Sequence, residues 1–91
     1  MNSPTLLRLR KAIDILDSRL LQLIAKRQLL SVAVAREKCR RRIAIQDKKR
    51  EQEVIKDRRE KGESLGIDRR VTEQLFTVLI AESKRIQGDR I

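Results

Sequence analysis

Three cationic residues in the N-terminal part of the chain are the first candidates for chemistry. Arg27 and Lys38 are 11 positions apart, which on an α-helix places them within about 20° of one another and about 16.5 Å apart along the axis. Two long cationic side chains that lean towards each other across that distance could bind a small anion. Arg10 lies 17 positions before Arg27, hence about 25 Å away and about 100° round the same helix. If Arg10 serves the same site, it must come from a second copy of the chain.

These cations lie on a predicted first helix that runs from about residue 5 to about residue 41. Large apolar residues recur along it with a period of 3.6 residues, which is typical of an amphipathic helix. Arg27 and Lys38 stand where that pattern would place apolar residues, and unpaired cations on a buried stripe are costly. Ser3 is the predicted N-cap, with Pro4 at the first helical position. The apolar positions of the stripe are Leu6, Leu9, Ile13, Leu16, Leu20, Leu23 with Ile24, Leu30 and Val34.

Two shorter helices are predicted after a non-helical connector at 43–46. The second helix runs from about residue 47 to about residue 61, with Asp47 as its N-cap or first-turn acid. Gly62 and Gly66 bracket a predicted turn. The third helix runs from about residue 68 to about residue 87, with Asp68 as its cap. The sequence therefore predicts an all-α chain that forms one domain, residues 1–91, with one long and two shorter helices.

Polar residues also stand at inward-facing positions of the two shorter helices. The second helix offers Asp47, Arg50 and Glu51 at i, i+3 and i+4, and the third offers Ser83 and Gln87 at i and i+4. Ordinary structural roles remain open for each: a cap for Asp47, a surface pair for Arg50 and Glu51, and an exposed turn for Ser83 and Gln87. Together with the cations of the first helix, the pattern favours a polar pocket inside a helical bundle.

The length of the first helix predicts an oligomer. A helix of about 36 residues is about 54 Å long, whereas a globule formed by a chain of 91 residues has a diameter of roughly 30 Å. A monomer could not cover the apolar stripe of such a helix. The simplest partner is another copy of the chain across a two-fold axis.

The formal net charge of +10 implies an anionic partner. Nucleic acid is one class of anion, but Phe76 is the only aromatic residue, so the chain has no stacking platform for single strands. It also has no zinc-ligand spacing and no basic-zipper layout. A basic helical dimer that binds nucleic acid or scaffolds a partner remains an alternative function.

Other residue types narrow the compartment and the chemistry. Cys39 is the only cysteine and cannot form an intrachain disulfide, which suits a reducing cytosol, so we expect a cytoplasmic protein. The chain has no histidine, which excludes His-based triads and His-ligated metals. Arg8 and Arg10 interrupt the N-terminal apolar run, so it lacks a signal-peptide core. No segment approaches the ~20 apolar residues needed to cross a bilayer, and no membrane partner is expected.

The order of these residues resembles the all-helical (AroQ-type) chorismate mutases. It looks most like the mutase domain of the bifunctional bacterial enzymes that fuse this domain to prephenate dehydratase. The resemblance covers nearly the whole chain, and although no single element is specific, the functional polar positions fall in register over three helices. The motifs are Leu6-Leu7-x-Leu9-Arg10, Ile13-x-x-Leu16-Asp17, Leu20-x-x-Leu23-x-Ala25-x-Arg27, Val34-x-x-x-Lys38, Asp47-x-x-Arg50-Glu51 and Ser83-x-x-x-Gln87.

The resemblance implies an intertwined homodimer of three-helix chains. Each active site is built mainly from one protomer plus one arginine from the other, here Arg10. The implied reaction is the Claisen rearrangement of chorismate to prephenate in aromatic amino acid biosynthesis, which needs no cofactor, metal or covalent intermediate. Because no dehydratase or regulatory segment follows residue 91, feedback control by an amino acid is not expected from this chain alone.

The resemblance also implies a role for each polar residue. Arg27 and Arg10 of the partner subunit would clamp the substrate carboxylates with planar donor forks. Lys38 and Gln87 would donate hydrogen bonds to the ether oxygen, where negative charge grows in the transition state. The other roles are in binding: Glu51 and the Asp47 region for the ring hydroxyl, Ser83 for a carboxylate, and Arg50 for electrostatic support.

One alternative lies on the same fold. Isochorismate-pyruvate lyase activity occurs there with similar cations and breaks the same ether linkage. The products distinguish the two reactions, since the mutase yields prephenate and the lyase yields salicylate and pyruvate.

Overall fold

In a computed structural model, the chain forms three α-helices: α1 (Pro4–Arg41), α2 (Lys48–Ser64) and α3 (Arg69–Arg90). The structure describes the backbone of residues 3–90 and the side chains of residues 3–88. No β-strand occurs in that range, so the predicted all-α class with three helices is confirmed. The chain divides into two compact units, residues 1–30 and residues 31–91.

The first unit contains the N-terminal part of α1. Ser3 caps this helix as predicted, because Leu6 N donates to Ser3 Oγ at 3.0 Å and Leu7 N donates to Ser3 O at 3.0 Å. Most of the apolar stripe of this segment is exposed, with exposed fractions that run from 48% at Leu20 to 67% at Leu30, while Leu6 and Ile24 are half-buried. The other exposed members of the stripe in this unit include Leu9, Ile13, Leu16 and Leu23.

In the second unit, α1 ends with a left-handed residue. Arg42 has a φ of 57°, which allows Ile43 N to donate to Lys38 O at 2.8 Å and Arg42 N to donate to Cys39 O at 3.2 Å. These two bonds satisfy carbonyls of the last helical turn. The chain then enters the connector at 43–46, which is non-helical as predicted.

Aspartate side chains cap both shorter helices. Asp47 Oδ1 accepts a hydrogen bond from Arg50 N at 2.9 Å, and Asp68 Oδ1 accepts one from Arg70 N at 2.8 Å. Each carboxylate satisfies a backbone N–H that the first helical turn leaves without a partner. Both predicted caps are confirmed.

The turn between α2 and α3 differs from the prediction. Gly62 does not open the turn but lies buried inside α2, which continues to Ser64. The turn is set by Gly66, whose φ of 80° is readily adopted by glycine. Ile67 N then donates to Gly62 O at 2.9 Å and closes the end of α2. The third helix likewise continues beyond the predicted residue 87, to Arg90.

The two shorter helices pack against one another. Val54 of α2 and Thr72 of α3 are buried, and a Cβ on Gly62 would lie 2.5 Å from Thr72 Oγ1. Gly62 therefore lets the two helices approach closely. At the same interface, Arg59 Nη1 donates to Glu73 Oε1 at 2.9 Å. These contacts fix α3 beside α2 and thereby position the polar residues of both helices.

Candidate active site

Lys38 is held in the last turns of α1 by two partners. Its Nζ donates to the carbonyl of Ile45 in the connector at 2.7 Å and to Gln87 Oε1 of α3 at 3.3 Å. The left-handed end of α1 makes the first contact possible, because it turns the connector back towards the helix. Lys38 is half-buried. Since an ammonium group has three N–H donors, two of them are used here and a third remains for a ligand.

Gln87 belongs to a chain of polar side chains that links α1 to α3. Its Nε2 donates to Ser83 Oγ at 3.1 Å, and Ser83 Oγ lies 2.6 Å from Ser31 Oγ. Gln87 and Ser31 are buried, with 7% and 6% of their surface exposed. Ser83 and Gln87 therefore do not form an exposed turn, which was the ordinary structural role considered for them. Buried hydrogen-bonded networks of this kind hold their members in fixed orientations.

Glu51 lies one turn into α2 and contacts α3. Its Oε1 is 2.7 Å from Lys84 Nζ, and both side chains are partly exposed. Within the described contacts, Glu51 therefore pairs with Lys84 of α3 and not with Arg50 of its own helix. Asp47 and Arg50 are exposed at the start of α2, where Asp47 serves as the cap.

Arg10 and Arg27 lie in the first unit. Arg10 is exposed and Arg27 is half-buried on α1. The second unit brings Lys38, Ser83 and Gln87 into one hydrogen-bonded cluster, which we call the Lys38 cluster. The contribution of the two arginines to a site stays a prediction.

Two residues of this region were missed by sequence reasoning. Ser31 contacts Ser83, and its position seven residues before Lys38 places both within about 20° on the same helical face. That spacing was a usable signal. Lys84 had no such signal, because one more lysine in a basic chain predicts a solvated side chain, and only the packing of α3 on α2 brings it to Glu51.

Several carboxylates outside the Lys38 cluster have lowered pKa values. Hydrogen bonds from arginine side chains are the main cause in each case. The donors are Arg40 and then Arg41 for the pKa of Glu37, Arg58 for Asp57, Arg59 for Glu73, and Arg85 for Glu82.

The described residues contain neither a metal-binding group of side chains nor a helix that could span a membrane. Within residues 3–88, no three acidic or cysteine side chains lie together as a metal-binding group. No helix described for residues 3–90 is long and apolar enough to cross a membrane.

Within residues 3–90 the protein is all-helical, and the half-buried Lys38 and the buried Gln87 join its first and third helices. Residues 9–88 match the family described as chorismate mutase type II. The chain belongs to this family, and the family assignment made from the sequence is confirmed.

Two relatives are similar over most of the chain. The bifunctional chorismate mutase/prephenate dehydratase of Buchnera aphidicola subsp. Baizongia pistaciae is 36% identical over 78 residues, which cover 86% of this chain and 21% of that protein. The chorismate mutase of Methanocaldococcus jannaschii is 33% identical over 79 residues, which cover 87% of this chain and 80% of that protein. The chain thus spans about a fifth of the bifunctional relative and most of the archaeal one.

Proposed function

We propose that the chain catalyses the rearrangement of chorismate to prephenate and is an intramolecular isomerase. Membership of the chorismate mutase type II family is the observation that carries this proposal. A mutase named as such, similar to this chain over 80% of its own length, supports it. The reaction is unimolecular, so the protein has to select a compact conformer of the substrate and stabilise the charge that develops as the ether bond breaks.

Lys38 and Gln87 are the proposed donors to the ether oxygen. The ammonium of Lys38 already has two partners, so its remaining N–H is held in a limited range of directions. The amide of Gln87 uses one N–H for Ser83 and has a second one for the substrate. Donors that are oriented before the substrate arrives need no reorganisation in the transition state, which is how such groups lower a barrier.

The remaining roles are in substrate binding. Arg27 and Arg10 of the partner subunit clamp the two carboxylates, since a guanidinium fork matches a carboxylate in two parallel hydrogen bonds. Glu51, near Asp47 at the start of α2, accepts from the ring hydroxyl. Ser83 helps to bind a substrate carboxylate, and Arg50 supports the site electrostatically.

The proposed assembly is an intertwined homodimer. Its support is the exposed stripe on the first unit, because a row of large apolar side chains that are mostly about half exposed or more is far from the usual surface of a monomer. A second copy that covers this stripe also supplies Arg10 to the site.

The test is the loss of ultraviolet absorbance of chorismate with purified protein, followed by chromatography of the product. We expect prephenate. Lys38→Ala should lower kcat by the ~10²–10³-fold that is typical of losing one transition-state donor. Lys49→Ala is the matched control, since Lys49 is an exposed lysine in the first turn of α2, and its kcat should stay at the wild-type value.

Other outcomes would contradict the proposal in distinct ways. Salicylate and pyruvate from isochorismate, without prephenate from chorismate, would assign the lyase reaction. No turnover by a folded protein that binds DNA with a steep salt dependence would favour the nucleic-acid alternative. Near-normal kcat in Lys38→Ala would remove Lys38 from the mechanism.

A further inference from the structure

Lys84 pairs with the one acidic residue of a basic groove. The groove lies between α2 and α3 in the second unit and has a volume of about 610 Å³. Ile55, Ile80 and Ala81 supply apolar contacts along it, while four of its lining residues are cationic and only Glu51 is acidic. The Lys84 Nζ lies 2.7 Å from Glu51 Oε1. Such a balance of charge suits an anionic ligand with an apolar body.

An unpaired carboxylate at this position would oppose the binding of a dianion. The ion pair with Lys84 offsets the charge of Glu51 at Oε1, an oxygen that accepts no hydrogen bond within the described residues. A carboxylate accepts hydrogen bonds through both oxygens, so Oε2 remains able to accept from a substrate hydroxyl. The position of Lys84 on α3, directly after Ser83, lets one helix serve the Lys38 cluster with one face and Glu51 with another.

The alternative is that the pair only joins two helices. Lys84 and Glu51 have exposed side-chain fractions of 39% and 24%, and ion pairs in contact with solvent contribute little to stability. A purely structural role would therefore show itself, if at all, in the melting temperature. It would not change the concentration of substrate needed for half-maximal rate.

We propose that Lys84 is a positioning residue, which holds the Glu51 carboxylate so that it accepts the ring hydroxyl of the substrate without repelling the substrate carboxylates. This inference rests on the proposed chorismate mutase function. It assigns Lys84 no contact with the reacting atoms, and its effect on the reaction passes entirely through Glu51.

Steady-state kinetics of the full chain with chorismate test this role. Lys84→Met keeps the length of the side chain and removes its charge, so KM should rise about tenfold, the order expected for one misaligned charged hydrogen bond. Its kcat should change much less, because the lost interaction is formed in the ground state as well as in the transition state. Lys84→Arg should restore most of the wild-type KM.

The double variant separates positioning from direct binding. In a Glu51→Gln background, Lys84→Met should leave KM unchanged, whereas an equal rise in both backgrounds would mean that Lys84 binds the substrate itself and would overturn the proposal. Lys56→Met is the matched control, because Lys56 lines the same groove on α2. If it raised KM as much as Lys84→Met, the effect would be one of general charge, and the proposal would again fail.

The wild-type chain distinguishes the two levels of inference. Absence of chorismate turnover by folded wild-type protein would overturn the proposed function and this inference with it. Wild-type turnover together with an unchanged KM in Lys84→Met would overturn this inference alone. Circular dichroism and the melting temperature identify a variant that fails to fold, and Lys84→Arg then carries the test, since an arginine that pairs with Glu51 should preserve KM.

Discussion

The orientation of the Gln87 side chain follows from the chemistry of its neighbours. The Lys38 ammonium can only donate, so the oxygen of the Gln87 amide must face it and the nitrogen must face Ser83. Ser83 Oγ then accepts from Gln87 and also lies 2.6 Å from Ser31 Oγ, a contact in which either hydroxyl can donate. The contact with Ser31 thereby restrains the Ser83 side chain.

Loss of the Ser31 hydroxyl should loosen this arrangement. For Ser31→Ala we expect kcat to fall about fivefold, which corresponds to the ~1 kcal/mol typical of one hydrogen bond, with little change in KM. Steady-state kinetics with chorismate measure this. Ser64→Ala serves as control, because the exposed Ser64 hydroxyl bonds only the carbonyl of Lys61 among its described contacts. An unchanged kcat in a folded Ser31→Ala protein would show that Ser83 needs no such support.

At the scale of elements, α2 and α3 approach closely where Gly62 meets Thr72. Gly62→Ala would place a Cβ 2.5 Å from the Thr72 hydroxyl, a distance at which either the Thr72 side chain or one of the helices has to shift. We expect a loss of about 1–3 kcal/mol in the free energy of unfolding, as for other overpacked positions. Urea denaturation followed by circular dichroism measures it.

Two variants make that prediction specific. Gly88→Ala is the control, since a Cβ on Gly88 meets nothing within 4 Å. Removal of the hydroxyl by Thr72→Ala in the Gly62→Ala background should recover part of the lost stability. If the Gly62→Ala and Gly88→Ala variants had equal free energies of unfolding, the result would contradict the close packing of α2 against α3 at Gly62.

The same interface carries a pH-dependent contact. The hydrogen bond from Arg59 holds the pKa of Glu73 below its ordinary value, so the folded state favours the ionised carboxylate. Its contribution is present above the pKa of the unfolded state, about 4.3 for a glutamate, and is lost as the pH falls through the lower pKa of the folded state. Glu73→Gln should therefore reduce the decline in melting temperature between neutral and acidic pH. A steeper decline in the variant would contradict this sign.

At the scale of the whole molecule, the exposed stripe of α1 leads to the proposed dimer and to a shared site. Arg10→Ala and Lys38→Ala should each be nearly inactive, yet a mixture allowed to exchange subunits should recover activity. One of the two sites in each hybrid would have both groups intact, and random exchange makes about half of the dimers hybrids. About a quarter of the wild-type activity is expected.

A second mixture provides the control for this experiment. Lys38→Ala mixed with Gln87→Ala should stay inactive, because both residues come from the same protomer and no hybrid site is intact. Subunit exchange is followed with two differently labelled chains, and sedimentation gives the mass of the assembly. Proven exchange without recovery in the first mixture would show that Arg10 does not cross to the partner's site.

The sequence by itself determined the helices and most of the polar positions. A 3.6-residue apolar period and the side chains of Ser3, Asp47 and Asp68 specify helices and their starts, since both are local properties of the chain. The polar residues Ser83 and Gln87 were recognisable for the same reason: they interrupt a stripe at helical spacing. The order and spacing of the polar residues along the three helices were also enough to identify the family.

Only the tertiary structure decided how residues distant in the sequence meet. Gly62 looked like a turn residue, and its burial inside α2 depends on the approach of α3. Lys84 looked like any solvated lysine, and its pairing with Glu51 depends on the packing of the same two helices. Such contacts follow from the relative position of whole elements, which the composition and periodicity of each element taken alone do not specify.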